Sequence, residues 1–175
     1  DNRFYSKGTD DKVGAFIVAE VLRELSTRKL NVAVYGVGTV QEEVGCRGAQ
    51  TVANIEEFDV GFGLDVTIAK DVPGTDGANG MGKGPTILLY DSGLIGHAGL
   101  RDYALEIAKK YDIPVQVDYL KRGATDASKL SMAHSGAIAM SLCIPSRYIH
   151  SHSSMISYKD YENARKYLER LNALT

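Results

Sequence analysis

Apolar residues recur at three- and four-residue steps through 11–28. Val13, Phe16, Ile17, Val21 and Leu25 would share one face of a helix. Thr9, Asp10 and Asp11 stand where that helix would be capped. From 31 to 40 the pattern becomes a run rich in Val and Tyr, interrupted by Gly36 and Gly38, and predicts a buried strand. Gly45 and Gly48 break the chain, and a short helix is expected over 49–55. A second buried strand is expected over 58–67, with Asp65 near its end. The stretch 69–85 holds five glycines and two prolines and reads as a loop. Its spacing fits neither the P-loop nor the dinucleotide pattern, and no helix directly follows it, so it reads as a structural or substrate-side loop.

The rest of the pattern predicts a strand at 86–90 and a helix carrying the stripe Leu100, Tyr103, Ala104, Ile107, Ala108 and Tyr111. A strand at 115–117, a short helix over 126–133 and an Ala-rich strand over 136–143 follow. A last helix begins at Ser157, where Ser157-Tyr158-Lys159-Asp160 resembles a capping box. Tyr158, Tyr161, Tyr167, Leu168 and Leu171 would form its buried face. Helices and strands alternating in this way imply an α/β fold, helices layered on a mixed, largely parallel sheet.

Composition narrows the function classes. The 175 residues are 44% hydrophobic and 24% charged, which suits one domain over 1–175 with a sizeable core. Net charge is -2, with acids and bases interspersed, so no basic stripe points to nucleic acid or a membrane surface. No apolar run is long enough to span a bilayer. Two cysteines, Cys46 and Cys143, make no disulfide framework and suggest a reducing cytoplasm. The chain opens Asp1-Asn2-Arg3 without an initiator Met, as expected of a processed or truncated chain or one piece of a longer protein.

Chemistry concentrates at the ends of predicted elements. Glu42 and Glu43 follow the 31–40 run, Asp65 and His150 follow later strands, and Asp10 precedes a helix whose N-terminal dipole favours an anion. In open α/β sheets, sites lie outside the carboxyl ends of strands. Ionised side chains in such a place are paired or bind metal. Carboxylates with an imidazole suit divalent Zn, Co or Mn. One glutamate binding metal and its neighbour moving a proton would divide the work. Taken alone, Glu42-Glu43 reads first as a solvated turn, and Asp10-Asp11 first as helix caps.

Six segments in order resemble the M42 family of metallo-aminopeptidases, the glutamyl aminopeptidase or tetrahedral (TET) peptidase family. They are Lys7-Gly8-Thr9-Asp10-Asp11-Lys12-Val13-Gly14, Gln41-Glu42-Glu43-Val44-Gly45 with Arg47-Gly48-Ala49, and Leu64-Asp65-Val66-Thr67. Gly82-Lys83-Gly84-Pro85, Gly123-Ala124-Thr125-Asp126-Ala127 and Ile144-Pro145-Ser146-Arg147-Tyr148-Ile149-His150-Ser151 complete the set. The resemblance implies a three-layer αβα catalytic domain acting on peptides through two divalent metal ions. It makes Asp10 the bridging carboxylate, with a cis bond to Asp11, and Glu42 the general base. Glu43 and His150 would hold one metal and Asp65 the other.

The family's remaining histidine ligand lies in a His-x-Asp motif ahead of an inserted dimerisation domain, and the chain begins after both. The metal position using Asp10, Glu43 and His150 is expected to bind tightly and the other weakly, with apolar surface and a sheet edge left uncovered. His97 and His134 are read as surface or hydrogen-bonding histidines, and His152, near His150, is left outside the ligand set, a place beside the ligands being its minor alternative. The full-length protein is expected to be a homo-oligomer. Alternatives are an impaired fragment serving as a binding or assembly module, and an endoglucanase using Glu42 with Asp65.

Overall fold

The computed structural model describes residues 2–172. In chain order its elements are β1 (Arg3–Ser6), α1 (Thr9–Leu25), α2 (Arg47–Val52), β2 (Val60–Ile68), β3 (Thr86–Leu88) and α3 (Ala98–Lys110). Then come β4 (Gln116–Asp118), α4 (Ala127–Ser131), β5 (Ile138–Arg147), β6 (Ser154–Ser157) and α5 (Tyr158–Asn172). They form a three-layer α/β fold on one mixed six-stranded sheet. β5 is its spine. It pairs in parallel with β2 over nine residues, from Val60↔Ile138 to Ile68↔Ser146. It also runs antiparallel to β3 and β6, while β4 adds in parallel to β3 and β1 antiparallel to β6.

Strand parity sorts the layers. Side chains alternate along β2. Phe62, Leu64 and Val66 join a core with Ile17, Val21, Ile87, Met140, Leu142, Ile144, Tyr161 and Tyr167, beneath α1, α3 and α5. Gly61 and Gly63 face the other way, where an added Cβ would meet Leu130 and Ala127 of α4. Asp65 shares that parity, so the strand aims its carboxyl at the α4 side rather than into the apolar core.

Three expectations are corrected. The run 31–40 forms no ladder among the described residues, and Val32, Tyr35, Val37 and Val40 are exposed. A strand is buried only when a neighbour satisfies its peptide groups; without one, water must. Val34 and Leu30 alone of this stretch pack on the core, and Tyr35 meets Phe58 edge to face. The short strands β1 and β6, absent from the pattern analysis, pair with each other; all of β1 is exposed, so no alternation betrays it. Phe16 and Tyr158, assigned to buried faces, are 57% and 40% exposed. They flank Tyr161, one stacked and one tilted on its ring.

The capping-box reading of Asp160 gives way to a more specific role. Asp160 is fully buried and accepts hydrogen bonds from Gly82 N (2.6 Å) and Gly84 N (2.7 Å). Gln116 adds contacts to Gly80 and Gly84, and Asn79 ties the loop back to Ile68. The Gly-rich stretch is therefore a fixed wall. Gly84 is held so close that a Cβ would lie 2.0 Å from Pro114 O. Asp160→Ala leaves two peptide donors without their acceptor. It should lower unfolding free energy by about 3 kcal/mol, with Asp160→Asn costing roughly half as much. Urea unfolding measures both, and a loss equal to that of an ordinary surface substitution would reject the clamp.

Candidate metal centre

The start of α1 separates two adjacent carboxyls. Asp10 and Asp11 have non-helical backbone angles, and the peptide bond between them is cis. Asp11 Oδ1 accepts from Gly14 N at 3.0 Å, which is the capping bond of the regular helix. Capping thus belongs to Asp11, and Asp10 points elsewhere. The second segment comes from a tight turn. Gly45 N and Cys46 N both donate to Glu42 O, and Gly48 N donates to Val40 O at 2.8 Å. A Cβ at Gly48 would sit 2.4 Å from Val40 N, so the turn closes only on glycine. The third segment follows β5. Tyr148 and His150 have positive φ, and Ser151 Oγ lies 2.6 Å from Tyr148 O and 2.7 Å from Ser153 O, which fixes the turn. Arg147, at the end of β5, is bound to Asp71 of the Gly-rich loop at 2.9 Å.

These segments bring Asp10, Glu43 and His150 together. His150 Nε2 lies 3.4 Å from Asp10 Oδ2 and 3.4 Å from Glu43 Oε2, and one donor atom from each lies within 4.8 Å of the others. Donors about 2.0–2.1 Å from a tetrahedral zinc are about 3.3 Å apart, so both measured separations fit a shared ion. Asp65 does not join this trio. It closes on its own Val66 N at 2.7 Å. Glu42, Cys46 and Asp126 make a second group of converging donor atoms.

The electrostatics agree with a cation site. Asp11 is pushed up to about 9 by burial and then by Asp65, opposed by the Gly14 N–H. Asp65 is pushed up to about 8 by burial and then by Glu42, opposed by its Val66 N–H. Burial, and then the Glu43 charge, raises Asp10, with His150 acting against them. Burial raises Glu42 too, while its bond from Cys46 opposes this. Carboxyls that crowd until they resist ionising are held charged by a bound divalent ion.

The other histidines stand apart. His97 accepts from Leu100 N at 3.2 Å and caps α3. His134 is an exposed turn residue with φ 48°. His152 is exposed and belongs to neither donor group. Sequence reasoning quoted Cys46 and Asp126 but gave neither a role. Cys46 lies four residues after Glu42, a spacing that a turn converts into contact.

An acidic, imidazole-bearing cluster on a three-layer α/β sheet offers donors of the kind that can hold a divalent ion. Residues 1–167 match the model of the M42 glutamyl aminopeptidase family, and the chain belongs to that family. A lysyl aminopeptidase from Pyrococcus furiosus is 34% identical over 174 residues, covering 98% of this chain and 49% of that protein. A TET aminopeptidase structure from a marine-sediment Thaumarchaeota archaeon superposes with TM-score 0.95 at 39% identity, covering 98% of this chain and 49% of that one. The TET1 peptidase of Pyrococcus horikoshii, described as assembling into a tetrahedron or a large octahedral shell, gives 0.85 at 31% identity, covering 98% and 51%. The chain spans about half the length of the curated relatives it matches. No helix among the described residues is long and apolar enough to cross a membrane.

Proposed function

We propose that residues 1–175 are part of the catalytic domain of a metal-dependent aminopeptidase that removes N-terminal residues from peptides. The observation carrying this reading is the convergence of Asp10, Glu43 and His150 at 3.4 Å spacings. Those three would hold one divalent ion, Zn, Co or Mn. Asp10 would bridge to a second ion, held also by Asp65 and more weakly. When bound, the metals polarise the scissile carbonyl and acidify water.

The chain's own groups do the rest. Glu42, beside this cluster, takes a proton from the attacking water and returns it to the leaving amine. Its raised affinity for protons brings it nearer to neutrality, where a base can both accept and release. The ring of carboxylates attracts the peptide's free ammonium end, which selects exopeptidase over endopeptidase action. The Asp71–Arg147 pair ties the Gly-rich loop to the residue that leads into the His150 turn. The whole protein is proposed to be cytoplasmic and a homo-oligomer; the shells described for the Pyrococcus horikoshii relative support the second of these.

The test is hydrolysis of leucine and glutamate chromogenic amides with and without added Co or Zn. Metal-dependent release of the chromophore supports the reading. Metal-independent hydrolysis of a β-glucan would instead favour a carboxylate-pair glycosidase. Bound metal without turnover would favour a binding or assembly module.

A further inference from the structure

We infer that Cys46, backed by Asp126, is a positioning residue for Glu42; the inference rests on the reading of Glu42 as general base. The Cys46 thiol donates to Glu42 Oε1 across 3.5 Å, and the main chain of the same residue donates to Glu42 O at 2.8 Å. Cys46 is 4% exposed and sits at φ 52°, so the turn, not solvent, sets where its sulfur points. Asp126 lies close to both side chains. Its Oδ2 accepts from Thr39 Oγ1, its Oδ1 is buried with no hydrogen-bond partner, and one of its oxygens lies within 4.8 Å of the Cys46 sulfur and a Glu42 oxygen.

The physical consequence is selection of one oxygen. A glutamate turns freely about three bonds, whereas a base must present one oxygen to one water. The thiol occupies Oε1 and leaves Oε2 to work. The Asp126 charge repels the Glu42 carboxylate, and the thiol bond holds that carboxylate in place against it. A thiol is also a weak donor. It holds the carboxylate while withdrawing less of its basicity than a hydroxyl would.

The test uses the protein as its gene encodes it, loaded with Zn. Cys46→Ala should lower kcat about tenfold, the worth of one hydrogen bond to a charged group. KM and metal affinity should not change. Cys46→Ser restores the donor and should recover kcat to within about threefold, a rescue that a loss of packing alone would not show. A second readout does not need turnover. The infrared S–H stretching band lost in Cys46→Ser should lie below the range of thiols without an acceptor and move upward in Glu42→Gln. Wild-type turnover with unchanged kcat in Cys46→Ala overturns the inference alone, as does a band that ignores Glu42→Gln. Metal-loaded wild type without turnover overturns the reading of Glu42, and the inference with it.

Discussion

Glu42→Gln should retain metal binding and lose turnover by about 10³-fold, within the range for removing a general base. The amide keeps the shape of the side chain and still accepts from the Cys46 thiol, but it cannot take a proton. Asp10, Glu43 and His150 stay untouched, so calorimetric titration with Zn should give the wild-type affinity for the first ion. The contrast between an intact metal site and lost chemistry separates this residue from its neighbour, because Glu43→Gln should weaken the metal itself. Near-normal turnover in Glu42→Gln would transfer the base role to another carboxyl of the cluster, with Asp65 and Asp126 the nearest in charge coupling.

Removing the metals should make the fold sensitive to alkali. In the folded, metal-free chain Asp11 and Asp65 hold their protons up to about 9 and about 8. The unfolded chain releases them near pH ~4. Between those limits the folded state binds more protons, so stability falls as pH rises. Asp10 and Glu42 are also raised and add in the same direction. The melting temperature of the metal-free chain should therefore drop by several degrees between pH 5 and pH 9. Added Zn should flatten the profile, since the ion replaces the protons and binds only the folded state. Asp65→Asn should reduce the slope. A metal-free chain whose melting temperature climbs over that interval would show that these carboxyls are not buried against one another.

The clamp on the Gly-rich loop shows why part of the site was hidden. Asp160 lies in a helix first turn, where local spacing reads as a cap. Its true partners, Gly82 and Gly84, are distant in sequence. The Cys46–Glu42 bond was nearer to legible, because four residues and two glycines mark a turn. The direction of a thiol is nonetheless set by backbone angles that residue types do not specify. The 31–40 run misled for a different reason. Apolar content measures a segment's preference for burial, and burial of a strand also requires a partner that composition cannot supply.

Local chemistry and periodicity were enough to settle the class of fold, the stripe of α3 and all but Phe16 and Tyr158 of the stripes of α1 and α5, the loop over 69–85 and the chemical type of each candidate ligand. Those follow from interactions between residues a few positions apart, or from side-chain chemistry alone. Tertiary structure decided that Asp11 caps while Asp10 joins Glu43 and His150, that Asp65 stands off from that trio, and that β1 pairs with β6. Each of these depends on where separate segments meet in space, and a ligand set spread over positions 10 to 150 has no local signal to record its spacing.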